Sequence, residues 1–172
     1  LIKISKIIPK NVLLVAVSKT KPIDSIESAY VYGQRDFGEN KVQEMAEKYN
    51  SLPKDINWHM IGHLQRNKVK YIAPFVHLIH SVDSYRLLLE INKQGIKNKR
   101  IINVLVQIDI SDDNTKFGFT YTEFNELIKL NKLKDLKNIK LKGMMGMASY
   151  SSNLSIIERE FNELSNYFTE HK

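Results

Sequence analysis

A parallel α/β fold is predicted by two features of this chain. Apolar strand-like runs alternate with helical patterns along its whole length, and the first run, Val12-Leu13-Leu14-Val15-Ala16-Val17, stops abruptly in Ser18-Lys19-Thr20-Lys21-Pro22. A continuous apolar, β-branched run reads as a strand buried on both faces, and βα alternation joins parallel strands through right-handed crossovers. Two architectures satisfy this pattern, an open doubly wound sheet and a closed (β/α)8 barrel. A barrel typically needs ~250 residues, so the 172 residues here favour the open sheet on length alone.

The elements follow in order. Pro22 presets the φ of a first helical turn, so a helix is expected from about 23 to 32, closed by Gly33. A short strand over 35–37 and a helix over 41–49 come next, then a strand over 57–61 and a helix over 65–72. A fourth strand over 76–82 leads into a helix over 85–97, and 101–110 is the longest strand expected. Helical spacing returns over 122–132, a sixth strand over 139–145, and a last helix over 154–169 with apolar residues at Leu154, Ile157, Phe161, Leu164 and Phe168. No linker interrupts the rhythm, so residues 1–172 read as one domain.

Composition narrows the function classes. With 42% hydrophobic and 26% charged residues the chain has enough apolar material for a core. No apolar stretch approaches the ~20 residues of a membrane span, and residues 1–10 lack the pattern of a signal peptide. The lack of cysteine excludes disulfides, thiolate metal sites and cysteine nucleophiles, and fits a reducing compartment, so a cytoplasmic location is expected. The net charge of +7 would admit nucleic acid or phosphorylated small molecules. Its lysines are scattered among acidic residues and no groove-reading motif accompanies them, so neither nucleic acid nor membrane is an expected partner.

In a parallel α/β protein the functional side chains gather at the carboxyl ends of the strands. Those ends supply Ser18-Lys19-Thr20-Lys21, Gly38-Glu39-Asn40-Lys41, Gly62-His63-Leu64-Gln65, His80-Ser81-Val82-Asp83, Asp109-Ile110-Ser111 and Gly146-Met147-Ala148-Ser149. Lys19 stands out because its strand is so apolar. Partial desolvation there would lower its pKa toward a nucleophilic amine, while its plainer role is a solvated charge at a strand end. His59 and His63 have the i, i+4 spacing of metal ligands, but a strand and a glycine intervene, so no metal site is assigned and His59 reads as a core or supporting histidine. The loop Asp109 to Lys116 lacks the glycine and terminal glutamate of a calcium loop and reads as solvated, with local side-chain turns. The first βα turn has no glycine for a dinucleotide, and neither a P-loop nor a Gly-x-Ser-x-Gly elbow is present.

Taken together, several segments resemble the pyridoxal phosphate homeostasis protein family, itself similar to the N-terminal barrel domain of alanine racemase. They are Ala16-Val17-Ser18-Lys19-Thr20-Lys21-Pro22, Phe37-Gly38-Glu39-Asn40 with Val42-Gln43-Glu44, residues 58–72, Asn103-Val104-Leu105-Val106-Gln107-Ile108, Lys116-Phe117-Gly118 and Gly143-Met144-Met145. The resemblance implies a (β/α)8 TIM barrel of the alanine racemase N-terminal type instead of the open sheet, present here as about six βα units. It further implies a Schiff base between Lys19 and pyridoxal 5′-phosphate, with Asn40, Lys21 and Lys116 as further cofactor-binding positions. The family chain carries two more strands whose loops hold the cofactor phosphate, so this chain is expected to be incomplete at both ends.

The function that follows from the resemblance is binding, buffering and delivery of pyridoxal phosphate without catalysis. The expected partners are the cofactor and pyridoxal phosphate-dependent apo-enzymes, and the expected state is a monomer. Two alternatives stay open: a pyridoxal phosphate-dependent amino-acid racemase, and a phosphosugar- or nucleotide-binding α/β protein that uses Lys19 only as a charge.

Overall fold

The structure, a computed structural model, describes residue 4 and residues 7–111 and 117–171. Its elements are β1 (Ala16–Val17), α1 (Ile23–Val31), β2 (Asp36–Glu39), α2 (Val42–Ser51), β3 (Asn57–Met60), a 3-10 turn (Arg66–Lys68) running into α3 (Val69–Ile72), β4 (Leu78–Val82), α4 (Tyr85–Lys97), β5 (Ile102–Ile108), α5 (Tyr121–Lys129), β6 (Ile139–Gly146) and α6 (Leu154–Glu170). Every expected strand and helix is present, with ends shifted by a few residues.

The six strands pair in chain order, β1-β2-β3-β4-β5-β6, and each pairing is parallel. A doubly wound sheet reverses its strand order at a switch point, whereas a barrel adds every strand on the same side of the last. The observed order has no reversal, so the open doubly wound sheet favoured by length is wrong and the sheet is an arc of a (β/α) barrel. Length counted the elements correctly but carried no information about the direction in which successive crossovers step.

Two faces of the arc differ sharply. Phe37, Trp58, Met60, Ile79, Val104 and Val106 are fully buried on the side that meets the helices, where Ile26, Met45, Ile72, Leu88, Ile91 and Phe124 pack against them. The opposite, inner face carries the residues between them: register pairs Asp36 with Asn57 and Gly38 with His59, and alternation places all four there.

Local chemistry fixes where the helices start. Ser84 caps α4 by accepting the Leu87 N–H, and Thr120 and Glu123 form a reciprocal capping box on α5, with the Thr120 N–H donating to Glu123 Oε2 at 2.8 Å. Such caps contribute about 1 kcal/mol each.

The expected strand over 12–17 survives only as Ala16–Val17, and it is not buried on both faces: Leu13 is 62% and Val17 52% exposed. The cause is positional. Among the described residues β1 has a sheet neighbour, β2, on one side only, so apolar side chains aimed at the inner face and the outer edge meet nothing.

Candidate functional site

Ser18, which follows β1, continues the sheet by donating its N–H to the Gly38 carbonyl at 2.9 Å. The chain then turns: the Lys21 N–H donates to the Ser18 carbonyl at 3.0 Å, leaving Lys19 and Thr20 as the two central residues. Thr20 has φ 63°, a left-handed conformation that is costly for a β-branched residue and persists only where the surroundings impose it.

Those surroundings are a buried set of charges beneath the turn. Lys48, on α2, donates from Nζ to the Ser18 carbonyl at 2.8 Å, to Glu39 Oε1 at 2.7 Å and to Glu44 Oε1 at 2.7 Å. Ser18 Oγ donates to Glu39 Oε1 at 2.6 Å, and the Thr20 N–H donates to Glu44 Oε1 at 2.7 Å. Glu39 is 0% and Lys48 6% exposed. The hydrogen bond from Lys48 holds the Glu44 carboxyl below the ordinary carboxylate range, and the Thr20 N–H adds to this against an opposing cost of burial. The backbone that carries Lys19 is therefore pinned at Ser18, Thr20 and Lys21.

Lys19 is exposed at the carboxyl rim, not half-sunk as an apolar strand suggested, because among the described residues β1 has no second neighbour. Ala16 packs on the core and Ser18 is buried against Glu39 on the helix side, so alternation assigns Val17 to the inner side of the arc, and Lys19 follows in the turn at the strand's end. Lys21 is also exposed and lies along the groove between α1 and the free edge of β1. Lys116 lies outside the described residues.

The next strand ends add to the same rim. Asn40 follows β2, and its Oδ1 is buried with no hydrogen-bond partner among the described residues. Gly62, after β3, packs directly on it: a Cβ on Gly62 would lie 2.6 Å from the Asn40 carbonyl oxygen and 2.7 Å from its Cα. Ser81 Oγ donates to the Gly62 carbonyl. His63 Nδ1 lies 2.8 Å from Asp83 Oδ2, and its ring stacks on Phe117 at 3.9 Å between centroids. The Asp109 loop makes the expected local turn as far as it is described, with Ser111 Oγ donating to Asp109 Oδ1 at 2.9 Å.

Deeper on the inner face lies a second polar cluster. His59, 1% exposed, places Nε2 at 3.0 Å from Asp36 Oδ1 and Nδ1 at 2.8 Å from His80 Nε2, which makes it the supporting histidine expected. Asn57 Nδ2 donates to the same Asp36 oxygen at 3.1 Å. Burial pushes the pKa of His59 down against the pull of Asp36, and burial with the neighbouring His59 and His77 pushes His80 down to about 4. Both shifts favour the neutral ring.

Sequence reasoning placed Lys19 and Asn40 at strand ends on one rim, and the structure has both there. That reasoning missed Glu44 and Lys48, whose i, i+4 spacing on a helix was the available signal, and it gave Glu39 no role. It also missed Asp36 and His77, which sit at the amino-terminal ends of their strands, away from the rim it searched.

The sequence profile of the alanine racemase N-terminal domain matches residues 2–170. The pyridoxal phosphate homeostasis protein of Escherichia coli is 41% identical over 123 residues, covering 69% of this chain and 53% of that protein, so the chain spans about half the length of the curated relatives it matches. PipY of Synechococcus elongatus, solved with PLP bound, superimposes with a TM-score of 0.87 at 29% identity, covering 98% of this chain and 78% of PipY. Its PLP-free structure gives a TM-score of 0.91 at 30% identity, covering 98% and 79%. Alanine racemase of Clostridium difficile shares the fold, with a TM-score of 0.76 at 18% identity, covering 98% of this chain and 45% of that enzyme.

Proposed function

The chain belongs to the alanine racemase N-terminal domain family, and from that premise we propose that it is a pyridoxal phosphate-binding domain, residues 1–172, that carries or buffers the cofactor on Lys19. The observation that carries this reading is the turn itself: a lysine at the carboxyl end of β1, at the rim where barrel proteins place their chemistry, on backbone held in a strained conformation by a buried ion cluster. A turn so constrained is a feature of functional sites more than of solvated loops.

The residues present fit the cofactor. Bound there, pyridoxal phosphate supplies an aldehyde for covalent attachment and an electron-accepting ring. Lys19 would hold it as a Schiff base through Nζ, and Asn40, whose buried Oδ1 is unpaired among the described residues, would offer an acceptor beside it. Lys21 and Lys116 are proposed as further cations of the site. What this chain's own residues do is aim the amine: Lys48 neutralises Glu39 and fixes the Ser18 carbonyl, and Glu44 fixes the Thr20 amide.

Homeostasis in place of catalysis is supported by the relatives named for that role at 41% identity, against 18% for a racemase that shares only the fold. On this reading the partners are the cofactor and pyridoxal phosphate-dependent apo-enzymes, the domain acts as a monomer, and it works in the cytoplasm. No helix among the described residues is long and apolar enough to cross a membrane.

The test is a visible spectrum of the chain mixed with pyridoxal phosphate, then borohydride reduction and peptide mass mapping. A stable pyridoxyl group confined to Lys19 is expected, and labelling scattered over surface lysines would reject the assignment. Multi-turnover loss of optical activity from L-alanine would point to a racemase instead.

A further inference from the structure

We infer that the inner face of the sheet holds a site for a divalent metal ion of borderline softness, zinc being the type, formed by Asp36, His59 and His77. One carboxylate oxygen and one ring nitrogen from each histidine lie within 4.8 Å of one another, and among the described residues no other three such side chains come together this closely. Three adjacent strands supply them: Asp36 opens β2, His59 lies within β3 and His77 directly precedes β4. Two imidazoles and a carboxylate are the ligand set of zinc sites that keep a fourth position for water.

The geometry is already partly formed. Asp36 Oδ1 and His59 Nε2 are 3.0 Å apart. Two corners of a tetrahedron with bonds of about 2.0–2.1 Å stand about 3.3 Å apart, so these two ligands need only a small adjustment. His77 is exposed and can close the third corner by turning about its own side-chain bonds. His59 and Asp36 each also have an outer partner that orients them, His80 for the far nitrogen of His59 and Asn57 for the Asp36 carboxylate.

Protons balance without release. A neutral His59 facing a carboxylate donates from Nε2 and accepts from the His80 Nε2–H at Nδ1. Metal at His59 Nε2 moves that proton to Nδ1, which now donates to His80 Nε2, while the His80 proton moves to its own Nδ1. Both rings change tautomer together and neither changes charge. Asp36 and His77 lie at the amino-terminal ends of their strands, and His59 is level with Gly38, below the rim that carries Lys19. Its effect would be to tie β2, β3 and β4 together.

The experiment is a titration of the purified chain with cobalt(II) chloride, read by the visible absorption of four-coordinate cobalt and reversed with zinc chloride. One equivalent is expected to bind, with affinity reduced at least tenfold in His77→Gln and in Asp36→Asn and unchanged in His63→Gln, which alters the exposed His63–Asp83 pair. His77 is exposed, so its variant retains the fold. Nitrogen NMR of the wild type should report the paired tautomer change at His59 and His80. Absence of binding up to millimolar cobalt, or binding lost in His63→Gln and kept in His77→Gln, overturns the site.

Discussion

Replacing Lys48 by methionine isolates the ion cluster beneath the Lys19 turn. The substitution keeps most of the side-chain volume but removes an ammonium that donates to the Ser18 carbonyl, Glu39 and Glu44. Glu44 is partly exposed and regains water, whereas Glu39 is fully buried and keeps only the Ser18 hydroxyl among the donors described. Breaking a buried pair so that one charge is stranded costs about 3–5 kcal/mol, while removing both charges costs far less. At about 2–4 °C per kcal/mol for a chain of this size, Lys48→Met should lower Tm by roughly 10 °C. The double variant Glu39→Gln with Lys48→Met should recover at least about 2 kcal/mol, since no stranded charge remains. Urea denaturation followed by the fluorescence of Trp58, the single and fully buried tryptophan, reads both numbers. A loss under about 1 kcal/mol in Lys48→Met, or a double variant as unstable as the single one, would show that the cluster does not brace the turn.

Three other outcomes are expected. His80 is held at about 4 in the fold against about 6.5 unfolded, so between those values the unfolded chain binds the extra proton and stability falls as the pH drops. The full shift is worth about 3 kcal/mol, reduced to about 1–2 by water around a half-buried ring; urea midpoints at pH 7 and 4.5 check it, and an unchanged slope in His80→Asn would refute it. Gly62→Ala forces a Cβ onto the Asn40 backbone and should cost about 1–3 kcal/mol, with a midpoint unchanged from wild type as the contrary result. Lys19→Ala should leave Tm within about 1–2 °C of wild type, since the side chain is exposed, yet abolish borohydride-trapped pyridoxyl label; label retained at the same stoichiometry would remove Lys19 from the site.

The fold was legible where it depends on period. Strands over 57–61 and 139–145 and the helix over 85–97 match because their apolar spacing has one solution, and the helix buries Leu87, Leu88 and Ile91 along one stripe. Closure into an arc was not legible in the spacing, because strand order is a property of how crossovers step; the resemblance carried it. The rim residues Lys19 and Asn40 were legible because strand ends can be located from hydrophobic runs. Lys48 was not, because its i, i+4 spacing to Glu44 marks a helical pair without marking the lysine as buried. The Asp36–His59–His77 group joins residues from three strands, 18 to 41 positions apart, and only register brings them together.

The left-handed Thr20 bears on how well an amine can catch an aldehyde. A lysine on a loose loop sweeps a large volume, and its chance of meeting a carbonyl at any one point is small. With the main chain fixed on both sides of it, Lys19 has only its own side-chain torsions to explore. On the proposed function, the fixed main chain narrows the volume the amine explores and raises its effective molarity toward a ligand's carbonyl at the rim. Relaxing φ at position 20, as Thr20→Gly would, widens that volume and dilutes the amine without touching it.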